Sequence, residues 1–333
     1  MLLLPLPQKL SSLSLCFCIA TTLLLLGLEA EEVALGAEST PSSSKPVLLV
    51  SYNVENYLTM PRWINGRFRQ NAGKPEEEKK ALASILASLH PDIIGFMEIG
   101  DARQVQDLEH HLHEVGLDYP YSEYLQGWDQ ERHLLLLSRF PILERHSQPI
   151  IPLLLHGKME HSPRGILDVV VELRPNCHLR LLCVHFKSKV PVAQYHQDSL
   201  REAEAVYLRN YIHEILTADS NTALLVMGDF NDTKNSKPLF TLLGHEKKPG
   251  LLQALPLKDD RAETWTEYWK ESDEYSRIDY MMINEVLSPA LIKEHSGIAR
   301  PSYWNRASDH CPLFVEILPD ALTPTSSPGA LAQ

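Results

Sequence analysis

The chain has few cysteines, no excess of basic residues, no internal repeat and no break that would divide it, and each absence removes a class of protein. Of its 333 residues only five are cysteine. Two of these, Cys16 and Cys18, fall in an apolar N-terminal stretch, which leaves Cys177, Cys183 and Cys311. An odd, sparse set makes no disulfide framework; it allows at most one bridge, and these spacings do not spell a zinc cluster. Lys and Arg number 31 against 43 Asp and Glu, a formal net charge of −12. Such a chain has no general attraction for a polyanion. That counts against a protein that coats nucleic acid nonspecifically, but not against an enzyme with a local basic groove and a bound cation. What remains, 44% hydrophobic and 22% charged residues, is a globular composition.

The first residues form a separate unit. Lys9 precedes an apolar stretch from Leu10 to Leu28, followed by small and acidic residues with cleavage points after Ala30 or Ala37. This is the layout of a secretory signal peptide over residues 1–37, and it predicts export to the periplasm or the medium. The alternative is an uncleaved membrane anchor, since about 18 apolar residues can span a bilayer. Residues 38–45 (ESTPSSSK) read as a polar linker and residues 319–333 (PDALTPTSSPGALAQ) as a disordered tail. Between them, residues 46–318 suffice for one large core or two small domains.

Within that region the pattern alternates between strands and helices. Val47–Tyr52 (VLLVSY) reads as a strand. The stretch KPEEEKKALASILASLH predicts a helix, with Pro75 and three glutamates at its start and Leu82, Ile85, Leu86 and Leu89 on one face. A strand in PDIIGFMEIG and a helix over 103–114 follow. Strands are expected at 134–137, 166–173, 179–186, 224–227, 278–283 and 311–318. A second long helix over 198–217 carries Leu200, Ala203, Tyr207, Tyr211 and Ile215 on one side. Several adjacent strands lack a helix between them, which favours mixed sheets with helices outside over a purely parallel barrel.

The informative feature is what stands at the strand ends. The apolar run Leu224–Met227 meets Gly228 and then Asp229, Asn231 and Asp232. Asp and Asn favour turns, so a single such group is unremarkable. The feature recurs, however: Asn53 and Glu55 in SYNVEN, Glu98 in FMEIG, His185 in CVHFKSK, Asp279 in SRIDYMMIN, and Asp309 with His310 in SDHCPLFVEI. Open α/β sheets collect ligands at such ends. GDFND, RIDY and SDHCP, in this order and at these intervals, resemble the endonuclease/exonuclease/phosphatase superfamily, and the resemblance spans about residues 46–318. It implies a four-layer α/β sandwich: two mixed β-sheets packed together and flanked by helices.

The resemblance also implies a chemistry, hydrolysis of a phosphoester by water with a divalent cation. Oxygen ligands suit Mg²⁺, with Mn²⁺ or Ca²⁺ as alternatives. Glu98 is then the principal ligand, with Asn53 and Asp309 close by, and Glu55 stands where relatives often carry Asp. Asp229 orients or deprotonates the attacking water, and Asn231 donates to a phosphoryl oxygen without adding negative charge. Asp279 bonds His310 and favours its protonated form. His310 then clamps the phosphate or acts itself as the base; both roles stay open. His185 matches a histidine facing the leaving group, with Glu131 as its expected partner. Lys187 and Lys189 are read as local positive charge for a phosphate chain, or else as two solvated lysines.

A calcineurin-like metallophosphoesterase also carries a Gly-Asp stretch, but its Asp-x-His and Gly-Asn-His-Asp/Glu blocks are missing here. Within the superfamily, nuclease, sphingomyelinase-like phospholipid phosphodiesterase and phosphomonoesterase share these residues. The expected substrate is nucleic acid, because HFKSK and the basic loop PRWINGRFRQNAGK, with Arg62, Arg67, Arg69 and Lys74, suit a polyanion. Trp265, Tyr268 and Trp269 are interrupted by charges and read as surface or core aromatics rather than a membrane-docking hairpin. The resemblance implies no obligate protein partner, and a monomer is expected. A binding protein built on a dead enzyme is disfavoured, since the full residue set is present.

Overall fold

The computed structural model describes residues 45–191, 196–244 and 251–322. The expected leader, all but the last residue of the linker, and the tail beyond residue 322 lie outside the described residues. In chain order the elements begin with β1 (Val47–Tyr57), β2 (Met60–Ile64), β3 (Arg67–Ala72), α1 (Glu76–Leu89), β4 (Ile93–Ile99) and α2 (Ala102–Glu114). They continue with β5 (Tyr121–Leu125), β6 (His133–Ser138), β7 (Ile142–Arg145), β8 (Pro152–Leu155), β9 (Lys158–His161), β10 (Ile166–Arg174) and β11 (Cys177–His185). The last are α3 (Gln197–Ala218), β12 (Leu224–Asp229), α4 (Lys237–Leu243), β13 (Gln253–Ala254), β14 (Glu267–Trp269), β15 (Glu274–Ser276), β16 (Asp279–Ile283), β17 (Leu291–Ile298) and β18 (Leu313–Ile317).

Two six-stranded mixed sheets result, ordered β17-β18-β1-β4-β6-β5 and β13-β16-β12-β11-β10-β7. Each contains one parallel pair, β1 with β4 and β11 with β12. Parallel neighbours need a crossover, and α1 and α3 supply them. α1 starts behind Pro75 with Glu76, Glu77 and Glu78 in its first turn, and stops at His90 in a left-handed conformation just before Pro91. α2 opens with a capping box between Asp101 and Gln104.

The inner faces of the sheets meet in one apolar layer that includes Leu49, Met97, Leu136, Val169, Leu181, Leu225 and Met281. They approach closely at Gly95, where a Cβ would lie 2.7 Å from Met227 Cε and 2.9 Å from Cys183 Sγ. Leu82, Ile85, Leu86, Leu108 and Leu112 of α1 and α2 cover the outer face of the first sheet. α3 and α4 cover the second through Leu200, Leu208, Ile212, Leu239 and Leu242. The fold is the expected four-layer sandwich.

The core face of α3 is rotated from the expected stripe. Leu200 and Ile215 of that stripe are buried, but so are Ala205, Leu208, Ile212 and Leu216, while Ala203, Tyr207 and Tyr211 only border the core. The described domain includes residues past 318, because Pro319–Ala321 form a 3₁₀ turn and Leu322 is buried in the inter-sheet layer. The stretch read as a basic loop is the hairpin β2–β3, turned by Asn65-Gly66 with φ of 52° and 72°. Both central residues of such a tight hairpin turn have positive φ, which explains the Asn-Gly pair. The three described cysteines are free and buried. Among the described residues no helix is long and apolar enough to cross a membrane.

Candidate active site

The parallel pairs place the C-terminal ends of β1 and β4 in one sheet, and of β11 and β12 in the other, at the polar edge of the sandwich. β16 and β18 run antiparallel to their neighbours, so their N-terminal ends reach the same edge. In this way Asn53, Glu98, His185, Asp229, Asp279 and the Asp309-His310 pair are gathered from five strands and one preceding loop.

In the second sheet three of them stand side by side. His185 is paired in register with Asp229, and Asp229 with Asp279. Gly228 makes this alignment feasible: it adopts φ of 144°, and a Cβ there would lie 1.9 Å from the Val184 carbonyl oxygen. In the first sheet the register slips. Glu98 is the extra residue between the pairs Met97–Leu134 and Ile99–His133, and its φ is +68°. Opposite it, Glu55 and Asn56 also have positive φ, where the β1–β4 register shifts. Bulges of this kind turn side chains out of the sheet, and left-handed non-glycine residues cost of order 1–3 kcal/mol each. The strain falls on Glu55 and Glu98, which present carboxylates, and on Asn56, whose N–H holds the Glu98 carboxylate.

Asp229 is 1% exposed. Its Oδ1 accepts the Asn231 backbone N–H at 2.8 Å, and its Oδ2 accepts the amides of Asn53 at 3.0 Å and Asn231 at 3.2 Å. Burial, followed by repulsion from Asp279, raises its carboxyl well above the usual range. His310 Nδ1 donates to Asp279 Oδ2 at 2.8 Å, and its Nε2 lies 3.9 Å from Asp229 Oδ2 and 3.8 Å from Asp309 Oδ1. Burial works against a charge on His310, but Asp279, Asp309 and Asp229 outweigh it and hold the imidazole protonated. Asp279 is set in turn by Thr266, whose Oγ1 accepts its backbone N–H at 3.1 Å. His185 is the opposite case. Burial and the nearby cations Arg164, His310 and Arg132 push it well below its ordinary value, so it is neutral. Its Nε2 lies 3.6 Å from Asp229 and 3.8 Å from Glu98.

The remaining acids form the outer part of the site. Glu98 Oε2 accepts the Asn56 N–H at 2.8 Å, and Oε1 lies 3.4 Å from the Asn53 amide. Glu55 Oε2 accepts the Asp309 N–H at 3.0 Å, with Lys74 4.0 Å away. Burial and the neighbouring Asp309 push the Glu55 carboxyl up to about 7. Asp309 is pushed up to about 6 by burial, with His310 opposing and Glu98 adding. Burial dominates both shifts, and three carboxylates, Glu55, Glu98 and Asp309, are close enough to add mutual repulsion, a setting that a divalent cation fits. The donors Glu98, Asp309 and the Asn53 carbonyl oxygen are hard oxygens suited to Mg²⁺. The Asn53 Oδ1 already accepts the Glu55 N–H at 3.1 Å and keeps a second lone pair. Asp229, Asp279 and His310 also bring ligand atoms within 4.8 Å of one another. The 2.8 Å hydrogen bond joins only Asp279 and His310, and a protonated His310 has no free lone pair, so the trio is an acid–imidazole–acid relay in which Asp229 faces the ring at 3.9 Å.

Three expected contacts are arranged differently. The Asn231 amide nitrogen donates to the Phe186 carbonyl at 3.0 Å as well as to Asp229, so a phosphoryl oxygen would have to take over one of these N–H groups. Glu131 does not meet His185. Its side chain is 67% exposed and pairs with Arg132 at 3.1 Å, and His185 Nδ1 is buried with no hydrogen-bond partner. The Lys187 ammonium turns into its own loop, 3.0 Å from the Ser188 and Val190 carbonyls, while Lys189 is exposed.

Other residues at the site escaped the sequence reading. Ser308 Oγ donates to the Asn53 carbonyl at 2.8 Å and accepts the His310 N–H, fixing the loop before β18 onto β1. Arg132 Nε donates to Asn56 Oδ1 at 2.8 Å. Arg132 and Arg164 both line a cavity of about 560 Å³ beside Glu98. An arginine in a loop such as SPRGIL has no local signature; only the tertiary fold brings it here.

The endonuclease/exonuclease/phosphatase family model matches residues 50–310. The chain belongs to this family. Family members are hydrolases of phosphoric esters and generally depend on a divalent metal. Among solved structures, the human Nocturnin catalytic domain with bound sulfate is similar at 15% identity and TM-score 0.53, over 81% of this chain and 93% of that one. TDP2 from Caenorhabditis elegans matches at 15% identity and TM-score 0.54, over 82% and 74%. Beta toxin from Staphylococcus aureus matches at 14% identity and TM-score 0.54, over 81% and 99%. At such identities these likenesses speak for the fold alone. No curated protein matches the chain.

Proposed function

We propose that this chain is a Mg²⁺-dependent phosphodiesterase, an exported nuclease similar to deoxyribonuclease I. The observation that carries the hydrolytic reading is the buried relay Asp279–His310–Asp229, in which one acid keeps an imidazole charged while a second acid faces it at 3.9 Å. Burial raises the Asp229 carboxyl while the surrounding carboxylates hold His310 charged, perturbations of the kind acid–base sites carry.

In this reading Asp229 takes a proton from the attacking water as the new O–P bond forms and the bond to the leaving oxygen breaks. The His310 imidazolium holds a phosphoryl oxygen as negative charge grows on it, a preorganised interaction worth roughly 10²–10³ in rate. Asn53 and Asn231 keep Asp229 aimed through their amides. A divalent ion held by Glu98, with Asn53 and Asp309 beside it, would supply Lewis-acid stabilisation of phosphoryl and leaving-group oxygens. Arg132 and Arg164, close to Glu98, favour a polyanionic substrate, and the N-terminal leader supports export.

The test is incubation with supercoiled plasmid and, in parallel, bis-p-nitrophenyl phosphate, in Mg²⁺ and in EDTA. Metal-dependent nicking absent from His310→Ala is the expected result. Turnover of the small diester with intact plasmid would retain the chemistry and refute the nuclease.

A further inference from the structure

Beside Glu98 the cavity of about 560 Å³ is walled on one side by an aromatic platform that the catalytic relay does not use. The rings of Trp128 and His161 stack with centroids 4.1 Å apart and planes within 9°. His161 backs one face of the indole, yet Trp128 remains 55% exposed. The platform is rigidly mounted. The Asp129 N–H donates to the Pro163 carbonyl at 2.7 Å, and Asp129 Oδ1 accepts the N–H groups of Glu131 and Arg132. The Gly127 backbone lies so close to Arg164 that a Cβ would sit 2.6 Å from its carbonyl carbon.

Arg164, on the same wall, is 6% exposed, and its Nε and Nη1 have no hydrogen-bond acceptor; its Nη2 lies 3.5 Å from Asp129. A buried guanidinium with unmet donors calls for an explanation, and an anionic ligand atom would provide one. The volume falls within the range of small-ligand sites. The carboxylates of Glu98, Asp129 and Glu160 stand against Arg132, Arg164 and Lys187, so the lining is balanced in charge, and an uncharged planar ring is what the open indole face stacks.

We propose that this cavity is a nucleoside subsite, in which an aromatic base of the substrate stacks on the open face of Trp128 while the attached phosphate faces Arg164. The assignment rests on the phosphodiesterase reading and narrows its substrate to a base-bearing phosphoester.

The test is calorimetric titration of the full chain in Mg²⁺ with thymidine 5′-monophosphate and, separately, with inorganic phosphate. Base–aromatic stacking of about 1–3 kcal/mol corresponds to roughly 5- to 140-fold in affinity. Trp128→Ala should lose that factor for the nucleotide while its affinity for inorganic phosphate stays the same, and Trp128→Phe should keep most of it. In the wild type the nucleotide should quench tryptophan fluorescence, and Trp128→Phe should lose that quenching; this readout stands even if the alanine variant fails to fold. The subsite is overturned if the wild-type chain binds the nucleotide no more tightly than phosphate, or if neither variant changes nucleotide binding. Turnover of bis-p-nitrophenyl phosphate is read in parallel. Trp128-dependent binding without turnover would sink the hydrolase and leave the subsite standing.

Discussion

Replacing Asp279 with Asn leaves the size and shape of the side chain and removes its charge. The perturbation acts through His310, whose Nδ1 lies 2.8 Å from Asp279 Oδ2. At an effective dielectric near 20, opposite unit charges at that distance attract by about 6 kcal/mol, against about 4 kcal/mol for Asp229 or Asp309 at 3.9 and 3.8 Å. Asp279 is thus the largest single support of the imidazolium, and an Asn leaves only a neutral hydrogen bond of about 0.5–1.5 kcal/mol. If the charged His310 stabilises the transition state, turnover of bis-p-nitrophenyl phosphate should fall by roughly 10²–10³ at the optimum. The pH profile gives a sharper check. His310 loses its proton more readily in the variant, so activity should fail at lower pH on the alkaline side. A loss of equal size at every pH would mean that Asp279 only positions the ring, and an unchanged rate would refute the relay.

Mg²⁺ should raise the melting temperature of the wild-type chain, by the equivalent of about 2.7 kcal/mol at a hundredfold excess over Kd; Glu98→Gln should abolish the increment, and a full increment in the variant would move the ion elsewhere. The Glu55 carboxyl titrates at about 7 in the folded chain against 4.5 ordinarily, so the folded state holds the extra proton and stability declines as pH rises across that window. Glu55→Gln in EDTA should therefore raise the melting temperature at pH 8 and hardly change it near pH 4.5; the reverse order would contradict the burial and the repulsion from Asp309 that raise this carboxyl. Gly228→Ala forces a Cβ to within 1.9 Å of the Val184 carbonyl oxygen at φ 144°. It should cost roughly 2–6 kcal/mol in urea denaturation from overpacking and backbone strain together, and a cost below about 1 kcal/mol would show that β11 and β12 can separate easily.

The sandwich and the residues of its polar edge were legible because both are written locally. Apolar runs of strand length end at acids and imidazoles, and GDFND, RIDY and SDHCP each keep their spacing within one turn. What escaped notice depends on contacts between distant segments. The Asn65-Gly66 pair is a hairpin signal, but the basic residues around it favoured a loop. Glu131 in DQERHLLLL stands where the resemblance places a partner for His185, yet its carboxylate turns to the adjacent Arg132. Asp229 stands at a strand end, where solvent exposure is the default expectation, but Asn53 from the opposite sheet helps to bury it. Lys187 follows a catalytic-type histidine, and its ammonium is captured by carbonyls of its own loop. Arg164 reaches the site through a segment whose backbone packs against Gly127, a contact that no periodicity or spacing encodes.

The proposed metal-assisted hydrolysis of phosphodiesters belongs to the edge where Glu98, Asp229 and His310 meet. Its most direct test is nicking of supercoiled plasmid by the wild-type chain in Mg²⁺, with EDTA and Asp229→Ala as the two controls. Nicking is expected in Mg²⁺ alone and should be lost in both controls. Nicking that survives either the chelator or the substitution would contradict the proposed hydrolysis.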